Sequence, residues 1–509
     1  MSFSRSSGIL LHPTSLPSRF GIGDLGEEAY KFINFLSLSG QRLWQVLPLG
    51  PIGYGNSPYQ CFSAFAGNTL LISPKKLWED GLLSSADIKN APKFNSESVD
   101  YGAVINYKRT LLHKAYENFK RKNDSQMQAE FDAFCQESAA WLNDYAFFSV
   151  LKEAHKGVAW IDWQPHLSKY DTSVLIGVHQ RMRDAVSESK FSQYLFFKQW
   201  LALKTFCQAH DIKLIGDLPI FVAYDSADVW QNPHLFKLDS ENLPVVVAGV
   251  PPDFFSKTGQ RWGNPIYNWE AMRNTGFAWW IERMRTMLRL FDIVRVDHFR
   301  GFAACWEVPA SEETAENGEW VEVPGRDLFT TLKAVLGEMP IIAEDLGLIT
   351  PDVVELREEF GFPGMRILQF AFDSDSSNSF LPHNYVRNTV VYTGTHDNDT
   401  TVGWFKNAST SAKTSDSVSA ELEYCLKYLN SDGKEIHWDF IRAALASVAN
   451  MAIIPLQDIL GFDSSARMNL PSSRDGNWGW RFSAQLLTEE IVARLKSLSE
   501  IYGRISANT

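Results

Sequence analysis

Cysteine is scarce and unpatterned in this 509-residue chain. The five cysteines, Cys61, Cys135, Cys207, Cys305 and Cys425, form no Cys-x-x-Cys pair and no metal-ligand spacing with histidine. That argues against a disulfide framework or a zinc site and for free thiols in a reducing compartment. No run of eighteen apolar residues occurs, so no membrane-spanning helix is expected. The N-terminal MSFSRSSGILLHPTSLPS lacks an apolar stretch of signal-peptide length. A cytoplasmic location is expected, or a plastid if a transit peptide has been removed. Positive charge is in deficit too, with 48 Lys+Arg against 60 Asp+Glu and a net charge of -12. Nucleic-acid binding wants a basic stripe, so nucleic acid is excluded as the main partner. No Gly-x-Gly-x-x-Gly follows the first candidate strand and no Asp-x-Asp-x-Asp loop occurs, so neither cofactor nor metal is expected.

What is present suits a folded, soluble protein. Hydrophobic residues make up 45% and charged residues 21%, the balance of a globular chain rather than a disordered one. Aromatics reach 13%, with 17 Trp, many of them in loop-like sequence. Aromatic faces stack on sugar rings, which hints at carbohydrate. Ordinary core tryptophan explains the composition equally well.

Eight apolar runs read as strands: 8–16, 43–49, 212–222, 292–299, 340–347, 364–372, 388–397 and 451–459. Most end in polar residues or turn breakers, and helical patterns separate them. Eight β-α units with polar C-terminal ends predict a (β/α)8 TIM barrel, with large helical and loop insertions between strands and no separate C-terminal β-domain. An open doubly wound sheet is the alternative. We read 1–509 as one catalytic domain. Within it, 75–205 is a mainly helical insertion and 223–268 a loop insertion over the cleft. The latter includes most of GVPPDFFSKTGQRWGNPIYNW at 249–269, whose Phe254, Phe255, Trp262, Tyr267 and Trp269 argue for order.

The strand at 292–299 ends in charge. Side chains at i and i+2 share a strand face, so Arg295 and Asp297 sit together at its C-terminal end. A guanidinium beside a carboxylate favours the ionised form, which suits a nucleophile. An ion pair that merely orders a loop reads as well from this stretch alone. Other strand ends add Asp217, Glu344 and the pair His396-Asp397. In a barrel these converge on one face. Buried like charges are costly unless paired or used. One member of such a group has its pKa raised, as a general acid requires, and two carboxyls of opposed state are the chemistry of glycoside cleavage.

The blocks VRVDHFRGF, IIAEDLG and YTGTHDND resemble those of the α-amylase clan. SPYQ at 57–60, GDLPIFV at 216–222, the 249–269 block, and RMNLP with NWGWR at 467–481 narrow the resemblance to the 4-α-glucanotransferases, glycoside hydrolase family seventy-seven. It runs from about residue 8 to 481, departing at Pro471-Ser472-Ser473. The resemblance implies a retaining enzyme that moves a segment of an α-1,4-glucan to the 4-hydroxyl of another glucan, through a covalent glucosyl-enzyme on Asp297. It implies Glu344 as acid/base and Asp397 as a ligand of the distorted −1 sugar. It implies Arg295 as the partner of Asp297, His396 and Asp217 as −1 sugar ligands, and Tyr59, Gln260, Trp262 and Asn469 as subsite residues. An α-amylase-like hydrolase of α-1,4-glucans remains the alternative. Read singly, His396 also suits packing, Asp345 suits loop ordering, and at least one of Trp478 and Trp480 suits packing. α-1,4-Glucans and maltooligosaccharides are the expected partners, with no membrane or nucleic acid.

Overall fold

The computed structural model describes residues 3–252, 256–411, 416–471, 473 and 475–505. Its strands, in chain order, are β1 (Ser6–Leu10), β2 (Leu43–Gln45), β3 (Lys213–Pro219), β4 (Val246–Val250), β5 (Gln260–Pro265) and β6 (Ile293–Asp297). There follow β7 (Ala304–Pro309), β8 (Glu319–Glu322), β9 (Ile341–Ala343), β10 (Gly364–Ile367), β11 (Thr389–Tyr392) and β12 (Met451–Pro455). Eight of these pair in the order β10-β11-β12-β1-β2-β3-β6-β9, every contact parallel. That is sequence order wound into a ring, the (β/α)8 barrel expected from the eight apolar runs.

The alternation of side chains separates two cores. Leu10, Leu43, Ile215, Ile293, Ile342, Met365, Val390 and Ile453 fill the barrel interior. Their neighbours Ile9, Trp44, Leu214, Val294, Ile341, Val391 and Ile454 face outward into the layer of helices. Burial on both faces explains why these strands read as continuous apolar runs.

The ring closes between β9 and β10 without a regular ladder. Ala343 N–H donates to Pro363 O at 2.9 Å. Two residues on, the Asp345 carboxylate replaces the backbone: its Oδ1 accepts Met365 N–H at 2.7 Å, and its Oδ2 pairs with Arg357 and lies 3.5 Å from Arg366. Asp345 therefore orders the seam, in keeping with its reading as a loop-ordering residue.

Two details differ from expectation. The strands are shorter than the apolar runs, because each run continues into the turn that caps it. Within β3, Gly216 lies against Phe291, whose ring would be 2.2 Å from an added Cβ. The stretch expected as a loop, 223–268, contains β4 and β5, which join β7 and β8 in a four-stranded antiparallel sheet of order β5-β4-β7-β8. Gly and Pro disguised these short strands, but pairing satisfies backbone groups that a long loop would leave to solvent. Phe254, Phe255 and Ser472 lie outside the described residues.

Between β2 and β3 the chain is largely helical, with helices at Tyr101–Lys122, Ser125–Glu137, Ala139–Ala154 and Arg183–Ala209. After β12 no strand occurs among the described residues. At the end of the barrel opposite the polar strand ends, Arg5 and Arg504 together donate to the carbonyls of Ala444, Leu445 and Ser447, at the C-terminus of helix Ile436–Ala446. The negative end of the helix dipole offsets these two cations. No described helix is long and apolar enough to cross a membrane.

Candidate active site

β6 delivers Arg295 and Asp297 on one face, as the i, i+2 rule requires. Arg295 Nη1 donates to Asp297 Oδ1 at 2.9 Å. The same nitrogen lies 2.8 and 2.7 Å from Asp217 Oδ1 and Oδ2. Parallel register sets Asp217 of β3 directly beside Arg295. One buried guanidinium thus serves two carboxylates. Burial opposes the charge on Arg295, but Asp217 and Asp297 outweigh it and raise its pKa.

Asp217, a −1 sugar ligand by the resemblance, is enclosed by its protein partners. Its side chain has 0% exposure, and besides Arg295 it accepts the Tyr59 hydroxyl at 2.9 Å. Burial raises its pKa while Arg295 opposes that shift. A carboxylate so enclosed needs its cation close at hand, so its oxygens face Arg295 and Tyr59 rather than the cleft. Asp297 is different. Its side chain is 29% exposed, and its Oδ2 has no hydrogen-bond partner among the described residues.

Glu344 follows β9 directly. Its Oε2 accepts the His298 N–H at 2.6 Å and its Oε1 the Leu346 N–H at 3.0 Å. Phe299 N–H donates to the Glu344 carbonyl at 3.0 Å. These bonds fix the carboxyl beside the turn that follows Asp297. Burial, then the charge of Asp297, push its pKa up to about 8 against Arg295 and the two N–H donors.

Asp397 lies beyond β11. Asn469 Nδ2 donates to its Oδ1 at 2.6 Å, and His396 Nε2 is 3.4 Å from the same oxygen. Arg467 ties this corner together, donating to the carbonyls of Asn469 at 2.7 Å and Asp397 at 2.5 Å. The buried His396 ring stacks on Tyr59, centroids 5.1 Å apart and planes 16° from parallel. Trp478 leans on both rings.

The antiparallel sheet supplies the remaining pair. Gln260 Oε1 accepts Trp262 Nε1 at 3.2 Å, and the Trp262 indole meets the His298 imidazole edge-on with centroids 4.7 Å apart. The ten candidate site residues therefore join one chain of contacts around Asp297 and Glu344.

His298 and Arg467 escaped the sequence reading. His298 adopts a left-handed backbone conformation, φ 53°, which turns its N–H toward Glu344. A non-glycine residue held there at a strand end marks a constrained, functional turn. Burial lowers the His298 pKa to about 4, so the ring is neutral at physiological pH. Gly301 makes room for it: an added Cβ would stand 3.1 Å from His298 Cδ2. The quoted block VRVDHFRGF held both signals. Among the described residues no group of three or more His, Cys, Asp or Glu is arranged to hold a metal ion.

Comparison with known proteins agrees with this geometry. Residues 11–488 match the family profile described as 4-alpha-glucanotransferase, glycoside hydrolase family 77. The chain is 51% identical to the 4-alpha-glucanotransferase of a Synechocystis species, over 98% of each chain. It is 48% identical to that of Thermus thermophilus, over 99% of this chain and 100% of the relative. An amylomaltase from Streptococcus agalactiae, solved in complex with acarbose, superposes with a TM-score of 0.94 at 40% identity, covering 99% of this chain and all of the other. With identity of this order along nearly the whole length, and the strand-end carboxylates gathered as described, the chain belongs to the 4-alpha-glucanotransferase family.

Proposed function

We propose that the cleft catalyses retaining 4-α-glucanotransfer on α-1,4-glucans and maltooligosaccharides, with Asp297 as nucleophile and Glu344 as acid/base. The observation that carries this reading is the different setting of the two carboxyls. Glu344 is pushed up to about 8 and holds its proton, while Asp297 has a guanidinium partner on one oxygen and, among the described residues, none on the other. Asp297 Oδ2 attacks the anomeric carbon as Glu344 protonates the leaving glycosidic oxygen, giving a β-linked glucosyl ester and a shortened glucan. The 4-hydroxyl of an incoming glucan then gives its proton to Glu344 and displaces Asp297, restoring the α-configuration.

Asp397 would bind the 2- and 3-hydroxyls of the reacting sugar. Asn469 holds its Oδ1, no described residue bonds its Oδ2, and its side chain is 49% exposed. His396 and Tyr59 would form the floor of the same subsite, with Gln260, Trp262 and Asn469 lining donor or acceptor positions. Asp217 acts through Arg295 rather than on sugar. The site needs no metal in this reading. A cytoplasmic location is consistent with five free cysteines.

Incubation with maltotriose tests the proposal. Glucose plus a ladder of longer glucans is the expected product pattern, with newly formed bonds all α by NMR. Products that are only shorter would establish hydrolysis instead. Asp297→Asn should lower turnover by about 10³-fold or more, since it removes the nucleophile of a covalent mechanism. Unchanged turnover would defeat the assignment.

A further inference from the structure

His12 is a buried titratable group that the mechanism above leaves unused. It stands two residues past the end of β1, on the face of the barrel that carries the carboxylates. Its backbone is fixed: Ser15 N–H donates to its carbonyl at 3.0 Å, and Leu11 is bonded to Gln45 and to the Trp44 indole. His12 is only 6% exposed, yet among the described residues its Nδ1 has no hydrogen-bond partner, and the neighbouring Ser15 Oγ is likewise unpartnered. Such orphans are costly unless something satisfies them.

Both residues line a cavity with His396, Asn398, Gln457 and Arg467. Tyr59 and Trp478, which pack on the His396 ring, do not line it. The space for water centres is about 30 Å³. A water needs roughly 10–15 Å³ on this measure and two to four polar partners, so roughly two waters fit. The wall supplies those partners: two imidazoles, the hydroxyls of Ser15, Thr395 and Thr400, two side-chain amides, the carboxyls of Asp399 and Asp458, and a guanidinium.

We propose that His12 is a positioning residue for His396, acting through ordered water in this shared cavity to fix the ring orientation and tautomer of His396. His396 in turn flanks Asp397 Oδ1 at 3.4 Å, so the hydrated cavity sets which nitrogen His396 offers to the sugar-binding carboxylate. The orientation of an imidazole is commonly set by what its second nitrogen meets, and here that partner is water anchored by a neutral histidine. Burial, with the charge of His396 next, lowers the His12 pKa to about 3, so the anchor stays uncharged. The consequence for transfer rests on the role proposed for His396 and Asp397; the hydration of the cavity does not.

Three measurements on the full-length enzyme test this. A high-resolution crystal structure should show ordered water bridging the His12 and His396 rings; a dry cavity or direct ring contact would overturn the proposal. In ¹³C-histidine-labelled enzyme, the His396 resonance, assigned by its loss in His396→Gln, should shift in His12→Leu and return toward its native position in His12→Gln. A resonance unmoved in His12→Leu would also overturn it. For maltotriose, His12→Leu should lower kcat/KM about tenfold, and His12→Gln should restore most of that, because its amide still anchors water. Equal losses in both variants with an unmoved His396 signal would mean a packing role only. The structural and spectroscopic readouts hold whether the enzyme transfers or hydrolyses.

Discussion

Glu344 is held against its own stability. Two N–H donors and Arg295 favour its ionised form, yet burial and Asp297 prevail and lift its pKa from 4.5 to about 8. The catalytic consequence is an alkaline limb: kcat/KM should fall tenfold per pH unit above roughly 8 as the acid loses its proton. The stability consequence has a definite sign. Between pH 4.5 and about 8 the folded chain keeps a proton that the unfolded chain releases, so stability falls as pH rises through that window. Glu344→Gln removes this dependence. The variant should lose transfer while its Tm advantage over the native enzyme grows from about pH 4.5 to 8 and then levels. A Tm difference that does not vary with pH would contradict the raised pKa. At this scale the sequence was largely readable, because charge at the end of an apolar strand is conspicuous. The enclosure of Asp217 by Arg295 and Tyr59 was not readable, because a sequence displays a carboxylate but not its exposure. His298 and His12 were passed over because a left-handed turn and an unpartnered nitrogen leave no pattern in composition.

Among the elements, the antiparallel sheet has the most to do with what reaches the glucosyl-enzyme. β5 carries Gln260 and Trp262 to the edge of His298, beside Asp297. An aromatic face at an acceptor position favours a sugar over water, so Trp262→Ala should raise the ratio of hydrolysis to transfer several-fold in the maltotriose assay. Loss of both activities in equal proportion would remove Trp262 from acceptor binding. The eight barrel strands were legible because each is buried on both sides. β4, β5, β7 and β8 were not, because sequences such as QRWGNP and EWVE are short and half-exposed, and Gly or Pro interrupts β4, β5 and β7. β4 pairs with β5 and β7 with β8 as sequence neighbours, but the β4–β7 contact that joins them lies across a helix pair and a barrel strand, so no local pattern announces the sheet. The Arg295–Asp217 bond belongs to the same class: register between β3 and β6 creates it, and neither strand reveals it alone.

For the whole molecule, the two ends of the barrel divide the work. The carboxylates occupy one end, while Arg5 and Arg504 brace the other, where conservation of structure rather than chemistry is at stake. Arg504 is completely buried and donates to Ser6, Ala444, Leu445, Ser447, Ala449 and Asn450 carbonyls. Arg504→Ala should cost at least ~3 kcal/mol, from several charge-assisted bonds lost together, and lower the Tm without changing the specific activity of the folded fraction. A fall in specific activity at unchanged Tm would contradict that division. The seam between β9 and β10 crosses it. Asp345 closes the ring one position after the acid/base, and its partner Arg357 is nearly as buried, with side-chain exposures of 3% and 12%. Asp345→Asn should cost about 3–5 kcal/mol by leaving that arginine without its counter-charge, read as a lowered Tm. It should also let Glu344 drift, since the two share one short stretch of backbone. A genetic screen for inactive enzyme would therefore return Asp345 alongside Glu344, and a melting curve, not an activity plate, would tell the two apart.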